Sequence, residues 1–261
     1  MPTVESENRR QVEELNQRGG RTLSMADLLH ARTITPEAAA YVGRRLSQGG
    51  SVITAAQHGG AGKTALLAAL LGFLPENLPL VTVETRRVLA RAAQTSEPHC
   101  YLVHEIGAGH WYGYLWGSAV ADYLALAQGP HRIATCLHAD TYEELREQLT
   151  APPLGASPED LAAVDLLLFI QLVRAPRGSP SGRWHRVTAI YEKGPAGGAQ
   201  RLVFTRDADQ DALRPVAGLA LDEEAEHLAR FLQWAQASGP YDWEGLRREC
   251  LRFRDAGRTS P

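Results

Sequence analysis

The sequence predicts an α/β fold with a mainly parallel central sheet, an antiparallel extension of that sheet, a short helical N-terminal lead and two C-terminal helices. Three observations carry this. Short apolar runs alternate with helix-patterned segments from residue 51 to residue 138, an order that calls for parallel strands joined by crossover helices. A glycine-rich turn over 57–64 links the first of those runs to an apolar helix. Downstream, three strand-like runs are separated only by Gly/Pro/Ser-rich turns, the pattern of antiparallel neighbours.

Residues 1–20 are mostly polar, with Val12, Leu15 and many charges, and read as a surface helix or a frayed tail. Ser24 is the N-cap of a short helix within 23–32. Thr35 caps the next, with Pro36 at its first position and Glu37 in its first turn, and Gly49-Gly50 stops it. Strands are predicted over 51–56, 80–84, 99–105 and 131–138, with helices over 65–74, 86–93 and 111–128 between them. Helices over 141–149 and 157–166 follow, the second with Ser157 as cap, Pro158 at its first position and acids Glu159 and Asp160 behind it. The extension comprises 167–173, 183–192 and 201–205. Two amphipathic helices, 221–237 and 241–256, are split by Ser238-Gly239-Pro240, and the last few residues read as disordered. The expected division is a helical lead-in over 1–50, a core over 51–210 and a helical segment over 211–261.

The turn over 57–64 has the features of a phosphate-binding loop. Gly59, Gly60 and Gly62 allow the backbone N–H groups to point inward, and the helix that follows adds its positive N-terminal dipole. Gly59, Gly60, Ala61, Gly62, Lys63, Thr64 and Ala65 are therefore the candidate cradle, with Lys63 reaching the β- and γ-phosphates and Thr64 a Mg²⁺ ion. Against the pattern GxxxxGK[ST], only the first glycine is replaced, by Gln57. Of 27 basic residues just Lys63 and Lys193 are lysines, so chance does not readily put one in this loop. Glu84, Glu105 and His138 end three predicted strands, the end of a parallel sheet where ligands collect.

Composition narrows the setting. With 44% hydrophobic and 22% charged residues and a net charge of −3, the chain reads as a soluble globular protein without the basic excess that nucleic acid requires. Its longest apolar runs are too short to span a bilayer, and no signal peptide is evident. Cys100, Cys136 and Cys250 make no paired framework, which points to a reducing cytoplasmic compartment.

Four boxes in order resemble the type II/type IV secretion and pilus-assembly ATPases, a RecA-like family that includes archaeal flagellar and tight-adherence members. The phosphate loop is the first. Val81-Thr82-Val83-Glu84-Thr85-Arg86-Arg87 is similar to the family's Asp box, with Glu84 on its catalytic glutamate and Arg87 on its arginine. Leu102-Val103-His104-Glu105-Ile106 is similar to Walker B, and Thr135-Cys136-Leu137-His138-Ala139-Asp140 to the His box. The resemblance covers residues 23–205 and implies a RecA-like P-loop core, ATP and Mg²⁺ as cofactors, and Thr64 and Glu105 as metal ligands. It further implies that Glu84 orients water, that His138 senses the γ-phosphate, and that Arg86, Arg87 and Arg132 can neutralise phosphate charge, Arg87 foremost. As partners it implies further copies of the chain, up to a hexamer, and a membrane platform protein at the inner face of the cell membrane.

There are departures. Thr85 stands where a second acid is usual, Gly107 replaces an arginine, and the interval from Glu84 to Glu105 is short. About fifty residues precede the loop, where relatives carry a separate domain. Two readings stay open: a Mg-dependent ATPase powering secretion or pilus assembly, and a relative that holds nucleotide without hydrolysing it and regulates or scaffolds a motor. An unrelated P-loop kinase or GTPase lacks support, since no base-specificity signature or acceptor site is present. His99, Cys100, His104 and His110 match no zinc spacing. Trp111, Tyr112, Tyr114 and Trp116 read as core packing or a subunit contact rather than base stacking.

Overall fold

The computed structural model describes residues 3–16, 19–175, 182–238 and 241–258. In chain order its helices are α1 (Val4–Leu15), α2 (Met25–His30), α3 (Pro36–Ser47), α4 (Lys63–Leu71), α5 (Arg86–Ala92), α6 (Ala119–Ala125), α7 (Tyr142–Thr150), α8 (Pro158–Ala162), α9 (Glu223–Ala237) and α10 (Trp243–Arg258). Its strands are β1 (Val52–Ala55), β2 (Leu80–Thr82), β3 (Cys100–Ile106), β4 (Tyr114–Leu115), β5 (Arg132–Leu137), β6 (Leu166–Arg174), β7 (Arg183–Glu192), β8 (Arg201–Asp207) and β9 (Ala212–Pro215).

All nine strands join one sheet, ordered β2-β3-β5-β1-β6-β7-β8-β9, with β4 pairing the end of β3. The pairs from β2 to β6 are parallel and those from β6 to β9 antiparallel, so the fold is the mixed α/β class expected. Alternation along the strands feeds two cores. Leu166, Leu168 and Ile170 of β6 join the side covered by α1, α2, α3, α4 and α9, while Leu167 and Phe169 join the side covered by α5, α6, α7 and α8. Both faces of the central strands are thereby buried, which their near-continuous apolar sequences require.

The edge at β2 is closed by side chains. Asn8 on α1 donates from Nδ2 to Leu78 O (3.0 Å) and accepts from Leu80 N (2.7 Å), and Gln11 accepts from Thr82 N (3.0 Å). An otherwise open row of main-chain groups is satisfied by one helix face, so the N-terminal segment is packed rather than frayed.

Three elements differ from expectation. The long helix over 111–128 is instead β4, then α6, then a 3₁₀ turn over Leu126–Gln128. Gly113 explains the break: it lies at φ +73, and a Cβ there would stand 2.6 Å from the His104 ring. The helix expected over 157–166 stops at Ala162, because Leu166 is already paired with Val52 in the sheet. β2 ends at Thr82, so Glu84 lies beyond its strand rather than on it. Of the aromatic cluster, Trp111 is 68% exposed, Trp116 and Tyr112 over 40%, so these three are surface groups and not core. The break at Gly239-Pro240 and the last residues, 259–261, lie outside the described residues, as does 176–181 between β6 and β7.

Candidate functional site

The site is assembled where β1 hands the chain to α4. Buried β1, flanked by β5 and β6, delivers the chain to the loop over 56–62, and α4 starts directly at Lys63. Gly62 is the N-cap of α4 in the left-handed region (φ +101, ψ 11), and no side chain caps that helix end. A Cβ at Gly62 would lie 3.2 Å from Ile170 Cδ1 and 3.3 Å from His185 Nδ1. The first-turn amides of α4 therefore sit at the end of a glycine-shaped cradle, the arrangement that binds an anion.

Charge converges on this cradle. Lys63, only 5% exposed, donates from Nζ to Ala56 O (3.1 Å) and stands 4.0 Å from Glu105 Oε2 on β3 and 3.3 Å from His138 Nδ1 just after β5. His138 Nε2 lies 3.2 Å from Glu105 Oε1. His138 Nδ1 is 2.7 Å from Gln57 O, a contact in which the ring nitrogen is the donor. Thr64 and Ala65 border the same cavity, of about 500 Å³, together with His104 and Tyr114. Burial pushes the His104 imidazole down to about 4, so it faces the cavity as a neutral ring. Behind the loop, burial raises the Cys136 thiol to about 11, which keeps it an uncharged packing group beside Thr54.

Several residues that hold the loop carry no local sequence signal for doing so. His185 on β7 donates from Nδ1 to Ala61 O (2.8 Å), reaching the loop from the antiparallel extension. Asp140 accepts from Gln57 N (2.8 Å), and Gln148 on α7 donates to His138 O (2.7 Å), tying the loop after β5 to the one after β1. Thr54 Oγ1 donates to Lys63 O (3.1 Å). Only tertiary pairing brings these groups together, 124 residues apart in the case of His185 and Ala61.

Lys63, Thr64, Glu105 and His138 are thus brought into one place, whereas Glu84, Arg86, Arg87 and Arg132 do not line it. Glu84 is exposed, accepts from Tyr112 Oη (3.0 Å), and does not line the cavity; Arg87, exposed on α5, does not line it either. Strand order is the cause. β2 is three places from β1, roughly 14 Å at ordinary strand spacing, whereas β3 is two. The Tyr112 hydroxyl is raised to about 12, by burial first and then by its bond to Glu84. Arg86 donates to Ser118 Oγ (3.1 Å). Arg132 opens β5 and so stands at the opposite end of the strand from His138, against the carbonyls of Gly129 and His131, which removes it from the phosphate candidates.

No family model and no curated protein matches the chain. Among solved structures it is similar to the VirB11 ATPase from the Brucella suis type IV secretion system in complex with sulphate, at TM-score 0.42 and 15% identity over 74% of this chain and 63% of that one. It is also similar to the Legionella pneumophila ATPase DotB, at TM-score 0.41 and 14% identity over 62% of this chain and 52% of that one. The chain therefore spans less than two thirds of either, and likenesses at this level carry no argument about activity. The site is a glycine-rich loop leading into α4, with Lys63 facing a carboxylate from β3 and a histidine from just after β5.

Proposed function

We propose that this chain is a P-loop nucleoside triphosphatase of the secretion and pilus-assembly kind, binding ATP with Mg²⁺ at the loop over 57–64 and hydrolysing it. The observation that supports this most is the convergence of buried Lys63 with Glu105 and His138 beside the capless N-terminus of α4. In this reading Gly59 to Ala65 hold the phosphates, and Lys63 compensates their charge. Thr64 and Glu105 offer the hydroxyl and carboxylate oxygens that Mg²⁺ takes, and the bound ion would supply further charge neutralisation at the phosphates. His138 would sense the terminal phosphate. The machine would be a cytoplasmic homo-oligomer, up to a hexamer, acting at the inner membrane face on a platform protein. Among the described residues no helix is long and apolar enough to cross a membrane.

A second reading has its own observation. Glu84, the residue expected to orient the attacking water, lies beyond β2 outside the cavity and accepts a hydrogen bond from Tyr112 there. That favours a nucleotide-binding relative that regulates or scaffolds without turnover. Phosphate release by wild type, Lys63→Ala and Glu84→Gln separates the two. The ATPase reading expects turnover in wild type, none with Lys63→Ala, and a loss of about 10²-fold or more in kcat with Glu84→Gln. Nucleotide binding by a wild type that releases no phosphate would establish the second reading.

A further inference from the structure

A second cavity, of about 630 Å³, opens at the end of the sheet away from the glycine-rich loop, where β1, β5 and β6 begin and β7 ends. Its charged lining is Arg45, Arg132, Asp165, Glu192, Lys193 and Arg201. Four cations thus share it with two carboxylates, in a chain whose net charge is −3. Both carboxylates are already committed. Glu192, with a side chain 8% exposed, accepts from Arg201 Nη2 (2.9 Å) on one oxygen and lies 2.6 Å from Arg45 Nη2 on the other. Asp165 accepts from Ser51 N (2.7 Å). A buried carboxylate between two guanidinium groups holds both at the wall, and each keeps N–H donors that a single oxygen does not use.

Arg132 and Lys193 are matched differently. Among the described residues Arg132 meets no carboxylate, and its bonds run from Nη1 to the carbonyls of His131 (2.7 Å) and Gly129 (3.4 Å). Nε and Nη2 are left to donate elsewhere. Gly49, at φ +83, gives that guanidinium its room, since a Cβ there would stand 3.4 Å from Arg132 Nε. The main-chain N–H of Lys193 donates to Asp165 O (2.8 Å), which fixes where its side chain starts, and among the described residues its ammonium has no ion pair or hydrogen bond. β5 and β7 are three places apart, roughly 14 Å at ordinary strand spacing, so the two cations border the cavity from opposite sides with the starts of β1 and β6 between them. Only two of the 27 basic residues are lysines, and one lines each of these two cavities.

We propose that the second cavity binds a small dianion of the phosphate class, inorganic phosphate or a phosphate monoester, between Arg132 and Lys193 with Arg45 and Arg201 at its rim. The positive excess calls for two negative charges, and a guanidinium fork facing a compact ammonium suits the oxygens of one tetrahedral centre. This site stands apart from the nucleotide reading and does not rest on it.

Acetylation of the full chain tests the proposal, because Lys63 and Lys193 are its only lysines and each reports one cavity. Peptide mass spectrometry reads the rate at each lysine with inorganic phosphate, glycerol 3-phosphate, succinate or chloride at matched ionic strength. A phosphate ligand at about ten times its dissociation constant is expected to slow Lys193 about tenfold, and chloride is not. Glycerol 3-phosphate acting at lower concentration than phosphate assigns a monoester, and action at equal concentration assigns free phosphate. Arg132→Gln is expected to remove the protection while circular dichroism and Lys63 reactivity stay as in wild type. The wild-type footprint needs no variant to fold. No protection of Lys193, equal protection by chloride or succinate, or protection that survives Arg132→Gln would overturn the proposal. Protection of Lys63 alone would do the same while leaving the loop reading intact.

Discussion

Gly62 and Gly59 belong to the same loop but answer to different constraints. Gly62 lies at φ +101 with Ile170 and His185 both within 3.3 Å of where a Cβ would be, so Gly62→Ala meets both a backbone penalty of about 1–2 kcal/mol and a contact that neighbours must relieve. Gly59 has no atom within 4 Å of its own Cβ position. Thermal melting should show Gly62→Ala lowered by a few degrees and Gly59→Ala within about 0.5 kcal/mol of wild type. Because the Gly62 substitution also turns the first amides of α4, it should weaken tripolyphosphate binding in the same preparation. Equal melting of the two variants would mean that the loop is not held in the cradle described. The same residue-scale view explains the position of Lys63. Its ammonium is nearly buried, yet it is bonded to Ala56 O and faces the Glu105 carboxylate, so the cost of desolvating it is offset locally.

At the scale of elements, α1 protects an edge strand with side chains where a neighbouring strand would use main chain. Asn8 makes two bonds to the β2 segment from a buried position, and Asn8→Ala would leave Leu80 N–H and Leu78 C=O without those partners. The cost should be about 1–3 kcal/mol in denaturant unfolding, with light scattering rising as the edge is opened. Unchanged stability would show that α1 rests on the sheet without closing it. This covering is not legible in the sequence, because Asn8 and Gln11 read as polar surface positions until the strand they serve is in place. The central strands and the turn into α4 are legible, since long apolar runs and a glycine-lysine-threonine turn carry their own local physics. The segment 111–128 misleads because its apolar content suits a helix, while Gly113 must pass against the His104 ring, a contact no periodicity reveals. Glu84 misleads for a related reason: a strand-end acid is local information, but its distance from the loop is set by the order of strands. His185 is silent in sequence altogether, as β7 reaches the loop only once the antiparallel extension has formed beside β6.

For the whole molecule, α1 and α10 meet at the far end of α4. Arg247 on α10, with a side chain 4% exposed, donates to Gly72 O (3.0 Å) and Leu74 O (2.8 Å) just past α4, and to both oxygens of Glu5 on α1 (2.7 and 2.6 Å). Trp243 Nε1 donates to Ala68 O (2.7 Å) within α4 itself. One core runs from Val12 through α4 to Leu246, so lead-in, sheet and C-terminal helices share buried apolar surface. Such a molecule should melt in one transition. Arg247→Ala removes a cation that satisfies two buried carbonyls and a carboxylate, a loss of about 3 kcal/mol, or roughly 6–12 °C for a chain of this size. In the nucleotide reading proposed above the ligand sits at the other end of α4, so saturating ATP should raise the melting point of variant and wild type by similar increments, about 2.7 kcal/mol at a hundredfold excess over Kd. Calorimetric scanning of the variant separates the possibilities. A second, lower transition would mean that α1 and α10 are a unit of their own, whereas one transition shifted downward, with the ATP increment kept, would show that the helix carrying the loop is braced from behind by both termini.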